Sequence, residues 1–336
     1  MSLRPSALTL LFLTFFAFVS AATTSKIVIS ADGTQIYADA TGDPAKQSIV
    51  FVHGLALSSI VFDRLFENKR LANYYLVRYD MRGHGRSDKP ATADAHTSIR
   101  YSQDFAAIMS AFGLKKPIFV GWYVSPNYNT IKRRTHLLYL QESWRQVSQD
   151  YTAAIITDIV ANNDVLPIVG AVALGGSPGL NPAILPIIAS PVLLSELAGF
   201  TANNVTAALA TRRSFIDGLF QDPAQVDFRL KAEYLGQTVV QSPAISALVS
   251  TRSQDLTKLF AAGEAGKLPM QVLFGTSDRK VVVDGVVSVF APHFGDKLFV
   301  SKVPGGHALF DDNPEGLIDQ LMWFVQKTTQ SSPALK

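Results

Sequence analysis

The sequence predicts an α/β fold: a mostly parallel, twisted sheet with an antiparallel edge, flanked by helices. Two observations carry this. Runs rich in Val, Ile and Phe recur at 26–30, 35–40, 48–52, 74–79, 118–120, 168–174, 270–274 and 298–303. Most lack apolar and polar alternation, as strands covered on both faces require. From the third run onward, helical stretches fall between the strands, the pattern of repeated strand-helix units.

The first two runs flank Ala31-Asp32-Gly33, a turn sequence, and read as a hairpin. Helical patterns are read at 59–68, 97–112, 153–163, 285–294 and 313–327. In the last of these, Asn313-Pro314-Glu315 offers a capping side chain followed by proline at the first helical position, where a missing N–H costs nothing. Between the runs at 168–174 and 270–274 the chain is rich in Ala, Leu and Ser, with proline breaks and little strand signal. Residues 178–266 are therefore expected to form a helical cap over the carboxyl edge of the sheet, where open α/β sheets bind ligands. The cap would divide the core into 25–177 and 267–328.

With 48% hydrophobic and 17% charged residues over 336 positions, the chain can bury a large core, and a disordered protein is excluded. The net charge of +3 owes much to Lys132-Arg133-Arg134, read as a solvated loop. No aromatic-interleaved basic face accompanies it, so no nucleic-acid partner is expected. At the N-terminus, Arg4, the apolar residues 8–18 and Val19-Ser20-Ala21 read as a secretory signal over 1–21. Its apolar run is short for a spanning helix, so a secreted chain is expected, with an uncleaved anchor as the alternative. Cysteine is absent, which excludes thiol chemistry and disulfides. Asn204-Val205-Thr206 matches the N-glycosylation acceptor pattern. No metal-ligand spacing or phosphate-binding glycine motif is present, so no cofactor or metal is expected.

The ends of the strands carry residues able to do chemistry. His53-Gly54-Leu55 follows the third run, and Asp80-Met81-Arg82-Gly83-His84-Gly85-Arg86-Ser87-Asp88 follows the fourth. Gly275-Thr276-Ser277-Asp278 and Val303-Pro304-Gly305-Gly306-His307 end the last two. In this order over about 25–328, the set resembles the capped α/β-hydrolase superfamily, which includes esterases, cofactor-free haloperoxidase-like enzymes and epoxide hydrolases. The resemblance implies that His307 is the general base, that Asp278 holds its tautomer, and that the backbone of the Gly54-Leu55 step supplies an oxyanion donor through Leu55 N–H. His84 is read as structural, and Asp80 and Asp88 as turn or cap residues.

One part of the pattern is broken. The resemblance places the nucleophile at the third position of a Gly-x-Ser-x-Gly turn beginning at Gly121, and Tyr123 stands there. The only full match, Gly175-Gly176-Ser177-Pro178-Gly179, follows a later strand, and Pro178 has no N–H to serve an oxyanion; it is read as a decoy. Residues 123–151 differ from their surroundings, being rich in Tyr, Gln, Arg and Asn, and helical pattern resumes at 152–160. Trp122-Tyr123-Val124 can be encoded by a stretch containing GTATGT, an intron donor sequence. The segment therefore reads as translated intron or a misplaced exon boundary, with a surface insertion as the alternative. Excising it restores no Ser-x-Gly, whereas joining Asp150 to Trp122 leaves an aspartate nucleophile open. The expected lineage is a secreted serine hydrolase of a small apolar ester or related acyl substrate, inactive as written. A non-catalytic small-molecule-binding protein and an epoxide hydrolase-like enzyme are the alternatives.

Overall fold

The computed structural model describes residues 23–122, 155–179, 181, 183–250 and 254–330. The expected signal segment, Tyr123 and the rest of 123–151, including the Lys132-Arg133-Arg134 cluster, lie outside the described residues.

Among the described residues, eight strands form one sheet: β1 (Thr24–Ile29), β2 (Gln35–Thr41), β3 (Ser48–Val52), β4 (Tyr75–Tyr79), β5 (Ile118–Trp122), β6 (Gly170–Leu174), β7 (Met270–Gly275) and β8 (Leu298–Val303). Their spatial order is β1-β2-β4-β3-β5-β6-β7-β8. From β4 to β8 every neighbouring pair is parallel, while β2 runs antiparallel to both β1 and β4. The hairpin turn is held by Asp32, whose Oδ1 accepts the Thr34 N–H at 3.1 Å.

Successive side chains of the central strands serve different cores. On β3, Val50 and Val52 join one apolar cluster, while Ile49 and Phe51 join the other. On β5, Phe119 faces the first cluster and Ile118, Val120 and Trp122 the second. Both faces are dry, which is why these strands read as continuous apolar runs.

The helices are α1 (Asp63–Phe66), α2 (Ser98–Ala111), α3 (Ile155–Ala161), α4 (Leu185–Ile188), α5 (Pro191–Phe200), α6 (Val205–Asp217), α7 (Phe228–Val239), α8 (Pro243–Ser250), α9 (Thr257–Glu264), α10 (Val283–Phe294), α11 (Leu309–Asp312) and α12 (Pro314–Gln330). The stretch read as a helix at 59–68 is instead a 3-10 turn, Ser59–Phe62, leading into α1. Helix α3 lies against α2, where Asn162 Nδ2 donates to Ser98 Oγ and Asn163 Nδ2 to Ser102 Oγ, both at 3.1 Å. Asn313 caps α12 as its sequence predicts, its Oδ1 accepting the Gly316 N–H at 3.0 Å. Asn204 does the same for α6 through the Ala207 N–H at 2.9 Å. Helices α4 to α9 all fall between β6 and β7. No described helix is long and apolar enough to cross a membrane.

Candidate active site

Parallel pairing brings the carboxyl ends of β3, β5, β6, β7 and β8 to one edge of the sheet, and Leu55, Asp278 and His307 follow three of these ends. Asp278 and His307 meet there: His307 Nδ1 is 2.8 Å from Asp278 Oδ2, with the side chains 0% and 1% exposed. A carboxylate can only accept, so Nδ1 carries a proton, and Nε2 faces away from Asp278. That Nε2 is buried and has no hydrogen-bond partner among the described residues. The other Asp278 oxygen accepts the N–H groups of Lys280 at 2.8 Å and Val281 at 3.3 Å, which aims the carboxylate at the ring.

Close backbone approach makes the pairing possible. A side chain on Gly275 would lie 2.0 Å from Gly306 O, so only glycine lets the β7 end pass the histidine loop. Three further bonds hold that loop. Gly306 N–H donates to Asp312 Oδ2 at 2.7 Å, Ala308 N–H to Leu219 O at 2.8 Å, and Gln221 N–H to the same Asp312 oxygen at 2.8 Å. Arg279, beside the acid, donates to the carbonyls of Phe220 and Gln221, both at 3.0 Å. Residues 219–221 thus strap together the loops that carry Asp278 and His307. Nothing in the sequence pattern pointed to this strap.

The β3 loop is ordered from below. Met81 N–H donates to His53 Nε2 at 3.0 Å, so His53 carries its proton on Nδ1, which donates to Gly54 O at 2.7 Å. In a trans peptide the carbonyl and the following N–H point opposite ways. With the Gly54 carbonyl turned toward His53, the Leu55 N–H is turned away from it. Burial pushes the His53 imidazolium down, favouring the neutral ring this arrangement uses.

His84 is fully buried and occupied. Its Nδ1 bonds Arg82 O at 3.1 Å, its Nε2 receives Gln241 Nε2 at 2.9 Å, and its ring packs 5.1 Å from that of His53. Burial holds it well below the ordinary histidine range. Asp80 accepts Ser59 N–H at 2.8 Å and bonds Arg86; burial works against its charge, but these donors outweigh it and keep its pKa at about 2. Asp88 accepts the Gln35 N–H at 2.8 Å. Ser177 is buried, its hydroxyl spent on Gly179 O at 2.6 Å, and it makes no bond to His307.

The sequence reading missed a buried ion pair beside Asp278. Lys280 Nζ meets Glu196 Oε2 of α5 at 2.5 Å, the two side chains 0% and 3% exposed. Among the described residues, no group of three or more His, Cys, Asp or Glu side chains could hold a metal ion.

Residues 47–122 match the family model described as alpha/beta hydrolase fold. An esterase from Rhodococcus sp. ECU1013 has a similar structure, with TM-score 0.72 at 23% identity, covering 90% of this chain and 99% of that one. A bromoperoxidase from Bacillus anthracis gives TM-score 0.66 at 16% identity, covering 91% of this chain and 100% of the other. In sequence, a non-heme chloroperoxidase of Streptomyces lividans is 34% identical over 94 residues, 28% of this chain and 33% of its own length. The Mycobacterium tuberculosis protein named "Probable oxidoreductase EphD" is 32% identical over 96 residues, and the match spans 16% of its length.

Proposed function

We propose that this chain, which has the α/β-hydrolase fold, descends from serine hydrolases of small apolar esters and is inactive as written. The observation that carries the reading is the buried Asp278-His307 pair, whose Nε2 has no partner among the described residues. A purely structural histidine in a dry core spends both nitrogens, as His84 does. One that keeps Nε2 free is suited to take a proton from a nucleophile.

In an intact site of this type, a serine after Trp122 attacks the acyl carbonyl while His307 Nε2 takes its proton. The histidine then returns that proton to the departing alcohol, leaving an acyl-enzyme. Asp278 fixes the ring and stabilises the imidazolium, and Leu55 N–H donates to the developing oxyanion. Water reverses the sequence and frees the acid. Helices α4 to α9 would cap the pocket. With Tyr123 at the nucleophile position, no serine hydroxyl stands there for the base to activate, and the acyl-serine route is closed.

The first test is the transcript between the codons of Ile118 and Ile159. A message encoding Gly-Trp-Ser-x-Gly supports a misread exon boundary, and the corrected protein should then hydrolyse p-nitrophenyl acetate. Turnover of that ester by the present chain, abolished by His307→Ala, would overturn the proposed inactivity. Tight ligand binding without turnover, indifferent to His307→Ala, would favour a non-catalytic binding protein. A corrected message with aspartate at position 123 would favour epoxide chemistry.

A further inference from the structure

Tyr234, Gln237 and Gln241 follow one another at spacings of three and four, so they share one face of α7 and its continuation. Each reaches a different loop at the sheet edge. The Tyr234 hydroxyl donates to Asp311 of α11. Gln241 donates from Nε2 to Gly83 O and His84 Nε2 while its Oε1 accepts Ser246 Oγ, so its amide is fully used. Gln237 reaches Ser58 on the β3 loop, its Oε1 accepting both the N–H and the Oγ–H at 2.9 Å.

A backbone N–H can only donate, so the Gln237 oxygen must face Ser58 and its NH2 must face away. That Nε2 is buried and, among the described residues, has no acceptor. Ser58 belongs to the same short loop as the Gly54-Leu55 step, and the loop folds back on itself through the Leu57 N–H bond to Gly54 O at 3.4 Å. A fixed, unspent donor therefore sits next to the loop assigned to the oxyanion. Buried donors without acceptors are costly and rare, and a bound ligand is one thing that completes them.

We propose that Gln237 is a specificity-determining residue whose Nε2 donates to an oxygen carried by the substrate in addition to its scissile ester. The pocket would then select esters bearing an ether, hydroxyl or carbonyl oxygen over pure hydrocarbon esters of the same shape. This rests on the reading of the edge as an ester site, and a fixed donor discriminates because an isostere lacking the oxygen leaves it unpaired.

The test uses benzyl methoxyacetate and benzyl butanoate, which differ by one ether oxygen in place of a methylene. Binding to the full chain is measured by NMR titration, or as kcat/KM if the esters are turned over. The variants are Gln237→Leu and Gln237→Glu, the second assayed at pH 8 with its carboxylate ionised, retaining an acceptor for Ser58 while losing both donors. The wild-type chain should prefer the ether ester by about tenfold, and in both variants the ratio between the two esters should fall to about one, the readout being that ratio and not the overall affinity. Equal affinity of the wild type for the two esters, or a preference that survives in Gln237→Glu, overturns the proposal while leaving the ester pocket intact. Failure of the wild type to bind either ester overturns the reading of the pocket, and the proposal with it.

Discussion

The indole Nε1 of Trp122 donates to the backbone carbonyl of His307 at 3.2 Å, with both side chains fully buried. Trp122 is the last residue of β5, so the end of that strand is tied directly to the loop that carries His307. Phe310 packs edge-on against the same indole, with ring centroids 4.6 Å apart. Replacing Trp122 with Phe keeps most of the apolar contact but removes the donor to a buried carbonyl. The variant should lose about 1–3 kcal/mol in urea unfolding. An unchanged midpoint would mean that this bond adds nothing.

The Lys280-Glu196 pair joins α5 to the residue two beyond Asp278. Burial pushes the Lys280 ammonium down, and the Glu196 carboxylate opposes that shift. Removing one partner strands the other in a dry site. Glu196→Gln is therefore expected to cost about 3–5 kcal/mol, whereas the double change Glu196→Leu with Lys280→Met should cost less than either single change. Additive losses in thermal unfolding would contradict the coupling.

Asp311 has a side chain only 5% exposed, and burial raises its pKa to about 6 although the Tyr234 hydroxyl and Arg64 work the other way. Its folded pKa lies above the unfolded value, so the native state disfavours the ionised form. The penalty is absent below about pH 4, develops through about pH 6 and is complete above it. Asp311→Asn, which can still accept the Tyr234 hydroxyl, should raise stability above pH 7 by at most about 3 kcal/mol. At pH 4 it should give no gain. Denaturation midpoints at both pH values decide this, and a pH-independent effect would contradict it.

Gly175 adopts φ +62, and a Cβ there would lie 3.0 Å from His307 Cε1. Gly175→Ala should therefore destabilise the fold by more than about 1 kcal/mol and shift the His307 ring resonances. A stable variant with an unmoved histidine spectrum would show that the loop yields without reaching the ring.

The strands were legible because burial on both faces leaves a local mark. β3, buried throughout, has the bounds its apolar run predicts, Ser48–Val52, and β8 also keeps its expected bounds, Leu298–Val303, although only Val303 in it is buried. β5 runs two residues past its expected end, because Gly121 and Trp122 continue the ladder opposite Ala173 and Leu174. A glycine read as the start of a turn is here paired backbone. Asp278 and His307 were singled out by the family resemblance, which rests on the motifs that follow successive strands, and the structure brings the two side chains within 2.8 Å. The sequence also determined, by itself, that no serine stands at position 123.

Tertiary structure alone decided which polar groups meet across long separations. Gln237 finds Ser58 across 179 positions, and Lys280 finds Glu196 across 84. Such pairs leave no periodic trace, because a buried polar side chain looks in sequence like an exposed one. Its partner is fixed only when helices α5 and α7 settle on the sheet edge and water is excluded from between them.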